Sequence, residues 1–301
     1  LDGTGTFFEN TGVFNQNGTS TVQEQVSVLG TGQFTNKSGG IWNFNSTETN
    51  GVEPLVDNQA GATINVTTGT FAVGAGALTQ AGTINVASGT ALNTNGSLTN
   101  TGVIGGFGTV NVGAGTLTNT GTLRPGGQTI RGKLSITGAA NLTGGTVELD
   151  VAGVTSAGTD YDWLAISGAA TLGGSVQVTE QSGFKAYFAD SLTPVTFGSR
   201  SGTFGTINTS ATGGGVTYGA TYTATNATFA LASGTTNYTA TGSTNWSLNS
   251  NWDRGTPNAN ADAVIGVAGT NTIALTGAQS AKSLALGSPS GMVTIDSGRL
   301  L

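Results

Sequence analysis

The chain contains no cysteine and no histidine, and only nine of its 301 residues are lysine or arginine. Without cysteine there are no disulfides and no thiolate metal sites. Without histidine the commonest metal ligand and the usual proton shuttle near neutral pH are missing. Stability must then come from something other than cross-links, which fits an extracellular bacterial protein or a fibre. Nine basic residues against 15 acidic ones give a net charge of −6. With no basic patch to neutralise phosphates, nucleic acid and anionic lipid are excluded as partners. No stretch approaches eighteen consecutive apolar residues, so no helical membrane span is expected. Charged residues make up 8% of the chain, where about 25% is usual, so hydroxyl and amide groups must face the water.

What the chain has instead is 51 Gly, 53 Thr and 25 Asn, with a 36% hydrophobic share spread at regular intervals rather than in blocks. "LTNTG" occurs at Leu98 and again at Leu117, with "LTQAG" at Leu78. Degraded copies begin at Phe8 ("FENTGV"), Phe34 ("FTNKSGG") and Val56 ("VDNQAGA"), giving six rungs in the first third. A second register consists of "TINV" at Thr63, "TINV" at Thr83 and "TVNV" at Thr109. In each, the aliphatic residues sit two apart and point one way while Thr and Asn point the other.

Period-two patterning that recurs about every twenty residues predicts an all-β fold, a parallel β-helix (β-solenoid) of elongated shape. Successive coils would stack at about 4.8 Å. Nothing recurs at helical spacing, and β-branched residues with Gly dominate every window. One coil buries too little to offset the entropy of ordering it, whereas a stack packs each interior side chain against its equivalents above and below. Some 12 to 15 coils imply a rod of roughly 60 to 70 Å. "NG" at Asn17, Asn50 and Asn95 is expected at corners that need φ > 0. Asn10, Asn36, Asn58, Asn100 and Asn119 predict a stacked ladder of side-chain amides.

After "LRPGG" the strands continue with a changed character. The run from "GTLRPGG" at Gly121, through "YDWLAISGAATLGGSVQV" at Tyr161, to "SGTFGTI" at Ser201 resembles the passenger modules of autotransporters and filamentous-haemagglutinin-like bacterial surface proteins. The resemblance covers about residues 121–231. It implies a right-handed parallel β-helix exported to the cell exterior as a stalk, adhesin or filament. No membrane-barrel pattern appears before Leu301, so the export route stays open. The polar stretch "SGTTNYTATGST", from Ser233 to Thr244, suits a linker or an irregular corner. Beyond it, Trp246, Trp252, Pro257 and Asp262 open what resembles a fresh repeat array. The organisation expected is therefore a solenoid array over 1–127, a passenger-like module over 128–232, and a linker with the start of a further array over 233–301. The beginning at Leu1 and the stop within "MVTIDSGRLL" suggest a processed product or a piece of a longer protein.

Candidate chemistry is sparse. Asp160 and Asp162 flank Tyr161 and would be calcium ligands or the acids of a polysaccharide hydrolase. The plainer reading makes them turn residues beside a buried rung of Tyr161 and Trp163. Arg124, Arg131 and Lys133 are close in sequence, as a lyase for acidic sugars would need, but lack evident partners. Trp246 and Trp252 either stack on sugars or plug the core, and core packing is preferred. The outward residues Thr63, Asn65, Thr83, Asn85, Thr109, Asn111, Thr118 and Thr120 would bind ice if they formed one flat array, yet their spacing drifts. "GGFGTVNVG" at Gly105 lacks the Lys and the helix of a phosphate loop and reads as a turn. "NGT" at Asn17 and "NLT" at Asn141 are sequons expected by chance.

No catalytic, cofactor-binding or metal-binding residue is therefore assigned, no cofactor is expected, and the chain is not expected to be an enzyme. The function expected is an extracellular structural or adhesive bacterial surface protein, a rigid stalk or filament subunit. Its expected partners are further copies, through open solenoid ends or edges, and cell-surface glycans. A carbohydrate-active β-helix enzyme and an ice-binding solenoid are the alternatives.

Overall fold

Thr-Ile-Asn-Val at Thr63–Val66 shows how the fold is built: Ile64 and Val66 are fully buried while Thr63 and Asn65 face outward. The computed structural model describes residues 7–18, 32–47, 49–52, 55–242, 244–287, 290–296 and 299–300. Residues 1–6 and the last residue, which frame the expectation of a processed chain, lie outside these. Among the described residues the chain is all strand and turn, save one 3-10 turn at Asn249–Asn251.

The sequence repeats pair with one another in parallel. Phe8 pairs with Phe34, Phe34 with Val56, Val56 with Leu78, and Leu98 with Leu117. All six copies lie in one long sheet. A second parallel sheet of nine described strands runs alongside it. Its order is Val13–Gly18, Ile41–Ser46, Thr63–Val66, Thr83–Val86, Val103–Gly106, Thr122–Pro125, Thr146–Val151, Ser175–Glu180 and Thr206–Ser210. The two long parallel sheets give an architecture consistent with a β-solenoid.

Four expectations need correction. "TVNV" at Thr109 does not continue the register of Thr63 and Thr83, because Thr83 pairs with Val103 while Thr109 pairs with Ala91 in the long sheet. The same alternation stacks equally well in either sheet, so the motif alone does not say which it joins.

The twenty-residue interval is local. Equivalent amides are 26 and then 22 residues apart near the start, 20 in the nine-stranded sheet and 19 at Asn100. Paired positions lie 24 to 31 residues apart between Thr122 and Ser210, and 21 to 22 apart beyond Asp262. Corner turns absorb the added residues while strands keep their pairing.

Of the three Asn-Gly sites, Asn95 takes the left-handed conformation at φ 48. Asn17 instead lies within the strand Val13–Gly18 and Asn50 within Thr49–Val52.

The parallel order expected to residue 231 is broken. The strand Asn226–Asn237 runs antiparallel to both Leu192–Ser201 and Val216–Tyr222. The reversal comes at residues 223–225, a short turn in which Thr223 Oγ1 accepts from the N–H groups of Thr225 and Asn226; antiparallel pairing permits so short a connection and parallel pairing does not. Pairing returns to parallel where Gly234–Asn237 meets Ala261–Val264. The first residues of the stretch read as a linker, 233–237, are therefore strand.

One apolar cluster extends from Phe34 to Ala261. It crosses residue 127 without a break, as Val110 pairs with Ile136 and Leu123 with Val147. The early coils fill it with aromatic rings, Phe34 lying 4.1 Å from Trp42, the middle coils with aliphatic residues, and aromatic rings return at Phe188, Phe197, Phe204 and Phe229. Each fully buried aliphatic side chain is worth about 1.5–3 kcal/mol. A second cluster gathers Tyr238, Trp246, Trp252, Ile265 and Ile273.

The repeat's glycine answers to the neighbouring coil. A Cβ on Gly102 would sit 2.0 Å from the Gly82 carbonyl oxygen, and one on Gly121 would sit 2.1 Å from that of Gly102. The Asn two residues before Gly12, Gly102 and Gly121, with Asn36 and Asn58 at the equivalent positions, forms the predicted ladder. Asn10 donates to Asn36 at 2.8 Å, Asn36 to Asn58 at 3.0 Å, and Asn58 to Gln80 at 2.8 Å. Gln80, omitted from the sequence reading, is the fourth rung. Its longer side chain donates to the Gly82 and Val103 carbonyls, and the ladder resumes with Asn100 to Asn119 at 2.8 Å.

Candidate functional site

The carboxylate pair divides its attention. Asp160 Oδ2 accepts from the backbone N–H of Thr155 and Ser156, closing its own turn. Asp162 is buried, its Oδ1 accepting from Gly132 N–H and its Oδ2 from Asp150 N–H, both at 2.8 Å. Asp162 is thus a clasp between neighbouring coils rather than a turn residue. Burial pushes its carboxyl up to about 8, helped by the charge of Asp150 and opposed by the two backbone hydrogen bonds and Arg131. The two carboxyls do not converge on a common point as hydrolysis would require. Among the described residues, no group of three or more carboxylates is arranged to hold a metal ion.

Tyr161 is buried as expected, but Trp163 is only half-buried, because alternation sends Leu164 and Ile166 inward and Trp163 out. Lys133 Nζ lies 4.1 Å above the Trp163 ring, whose Nε1 donates to Thr196 Oγ1. Arg124, read as unpartnered, pairs with Glu148, and Arg131 Nε reaches the Thr159 carbonyl. Basic residues in this region are therefore engaged locally. Trp246 and Trp252 pack edge to face at 4.8 Å within the second cluster, and Trp252 Nε1 donates to the Trp246 carbonyl. Both rings are buried, as the core reading required.

The outward Thr and Asn residues do not form one array. Thr63, Asn65, Thr83 and Asn85 belong to the nine-stranded sheet, whereas Thr109, Asn111 and Thr118 belong to the long sheet and Thr120 to the turn after it. On the nine-stranded sheet they form a second amide ladder that sequence reasoning missed. Asn43 donates to Asn15 at 2.8 Å, Asn65 to Asn43 at 2.8 Å and Asn85 to Asn65 at 2.9 Å. Its signal was the Asn that follows the Ile of each "TINV".

The ladder stops where Gly105 takes the next place in the column. Beside it a groove of about 310 Å³ is lined by Asn65, Asn85, Ala87, Gly106, Gly126 and the 40%-exposed ring of Phe107. The ring lies against Gly132, where a Cβ would come within 2.5 Å of it. Below Gly105 the column continues with Arg124, Glu148, Gln177 and Asn208. A second, polar groove of about 290 Å³ lies here, lined by Arg124, Glu148, Asp150, Gln177 and Gln181. The turn after Pro125 walls both: Gly126 and Gly127 line the first groove, Gln128 and Thr129 the second. Thr129 adopts φ 62, a strained conformation for a β-branched residue.

Sequence reasoning also missed the junction between the two cores. Arg254 and Glu180 form a buried ion pair. Glu180 further accepts from the Ala186 and Thr212 N–H groups and from Tyr218 Oη. Burial, with the Glu180 charge beside it, holds the Tyr218 hydroxyl well above its ordinary range. Lys185 Nζ meets Asp253 Oδ2 at 2.9 Å nearby. Burial alone would raise Asp253, but hydrogen bonds from Asn237 and Lys185 outweigh it and leave the carboxyl below its usual value.

Among known proteins, no family model matches this chain and no curated sequence is similar to it. No helix among the described residues is long and apolar enough to cross a membrane.

Proposed function

We propose that the chain is an extracellular structural or adhesive protein of a bacterial surface, a right-handed parallel β-helix that serves as a rigid stalk or filament subunit and performs no catalysis. The observation that carries this reading is the pairing of like residue with like along two parallel sheets, braced by amide ladders on both the inner and the outer side. Such a stack resists local opening, because no strand can leave without breaking ladders on both neighbours. The resemblance of residues 121–231 to autotransporter passengers supports export and surface display. Association of copies end to end, through unpaired strand edges, belongs to the same reading.

Negative-stain electron microscopy of the purified chain tests it. Straight rods are expected, joining into longer filaments as concentration rises. Compact spherical particles overturn the rod, and isolated rods at every concentration overturn the end-to-end association. Protease treatment of intact source cells is expected to remove the protein, and its full protection overturns the surface location.

A further inference from the structure

We infer that the outer face of the nine-stranded sheet binds an extended, uncharged, β-linked glycan lying parallel to the coil stack, with Phe107 as its stacking platform; the inference rests on the adhesive part of the reading above. Three features of the same column carry it. First, Asn65 and Asn85 and then, past the gap at Gly105, Arg124, Glu148 and Gln177 occupy rungs of one column, so planar hydrogen-bonding groups recur at about 4.8 Å on either side of the gap. An extended β-linked pyranose chain advances by nearly one rung per sugar, so sugars on either side of the gap each meet a fresh donor or acceptor.

Second, the column is interrupted at Gly105, and there the outer ladder ends on an open acceptor. Asn85 spends its amide N–H on Asn65, and among the described residues no donor reaches its Oδ1, because Gly105 has no side chain. The groove at this notch offers an exposed aromatic ring beside that oxygen, which is the pairing of apolar face and hydroxyl partner that a sugar ring presents.

Third, the charges select against an acidic chain. Arg124 is neutralised by Glu148, and Asp150 adds a further carboxylate to the lining. An acidic glycan would meet net repulsion, while a neutral one can offer its hydroxyls to the amide oxygens of Gln177 and Gln181, whose Nε2 groups are held by the Val178 carbonyl and Asp150, and accept from the terminal nitrogens of Arg124, which the Glu148 contact through Nε leaves free to donate.

Isothermal titration of the full chain with cellobiose, cellohexaose and chitohexaose, and with hexameric oligogalacturonate as the acidic probe, tests the inference. At least one neutral hexasaccharide is expected to bind, more tightly than cellobiose, with oligogalacturonate silent. Phe107→Ala is expected to weaken binding roughly tenfold with an unchanged circular dichroism spectrum, and Gln177→Ala to weaken it severalfold. Absence of heat with both neutral hexasaccharides, tighter binding of oligogalacturonate, or full affinity in Phe107→Ala and Gln177→Ala overturns it. Rods in the microscope without binding reject this inference alone, whereas spheres reject the rod independently of any titration.

Discussion

Arg254 grips Glu180 with both terminal nitrogens, Nη1 to Oε1 and Nη2 to Oε2, each at 2.9 Å, across 74 residues of chain. The pair sits where the nine-stranded sheet is about to end and the second apolar cluster begins. Its remaining valences are taken by Ala186, Thr212 and Tyr218, so both charges enter the interior with their hydrogen-bonding capacity largely met. A buried pair of this kind adds little net stability over an apolar substitute, but it fixes how the parts on either side of it meet.

Removing one partner leaves the other charge buried and unpaired, so the losses of the two single variants should not add. Arg254→Met and Glu180→Leu are each expected to destabilise the protein by about 3–5 kcal/mol, and the double variant by clearly less than the sum. Urea unfolding followed by tryptophan fluorescence provides the double-mutant cycle, and additive losses would contradict the coupling.

The two amide ladders are predicted to differ in weight. Asn58→Ala deprives Gln80 of a donor and the Thr83 carbonyl of its side-chain partner in a buried setting, a loss of about 2–3 kcal/mol. Asn85→Ala removes a partly solvated contact, worth about 0.5–1 kcal/mol. Denaturant midpoints of the two variants provide the check, and equal losses would speak against a distinct inner ladder.

Glycine in the repeat is predicted to be irreplaceable for steric reasons. Gly102→Ala forces a methyl onto the Gly82 carbonyl and should cost about 1–3 kcal/mol or more. At Gly144 an added Cβ meets only side-chain and ordinary contacts from 3.3 Å outward, so Gly144→Ala is expected to cost under about 1 kcal/mol. Thermal melts of both variants measure the difference.

Asp162 should make stability pH-dependent. Its carboxyl titrates near 4 in the unfolded chain and at about 8 in the folded one, so between these values the folded state holds the extra proton. The contribution of this group therefore falls as pH rises from about 4 to 8 and is fully present on the acid side. Asp162→Asn should flatten that slope, at the expense of turning an amide N–H toward the N–H of Gly132 or Asp150. Unfolding midpoints across the window decide, and an unchanged slope in Asp162→Asn would remove Asp162 as its source.

Much of the architecture was legible because a parallel stack pairs each residue with its own copy. Leu98 lies opposite Leu117 and Thr63 opposite Thr83, so the repeat in the sequence is the register of the sheet. The inner ladder could be read for the same reason, although Gln80 hid among asparagines. The outer groove could not be read, since it exists only because Gly105 and Phe107 from one coil meet Asn85 and Gly126 from the coils on either side. Asp160 and Asp162 looked like a pair in the sequence, yet Asp160 closes the turn before the strand while Asp162 reaches the backbone of neighbouring coils.

Composition and periodicity by themselves settled that this chain forms strands and that like stacks on like, because period-two burial and steric demand for glycine are local properties. Tertiary structure alone decided which sheet "TVNV" joins, where the strand direction reverses, and that Arg254 finds Glu180. Those outcomes depend on corner turns of unequal length and on contacts between residues distant in the chain, which no local pattern encodes.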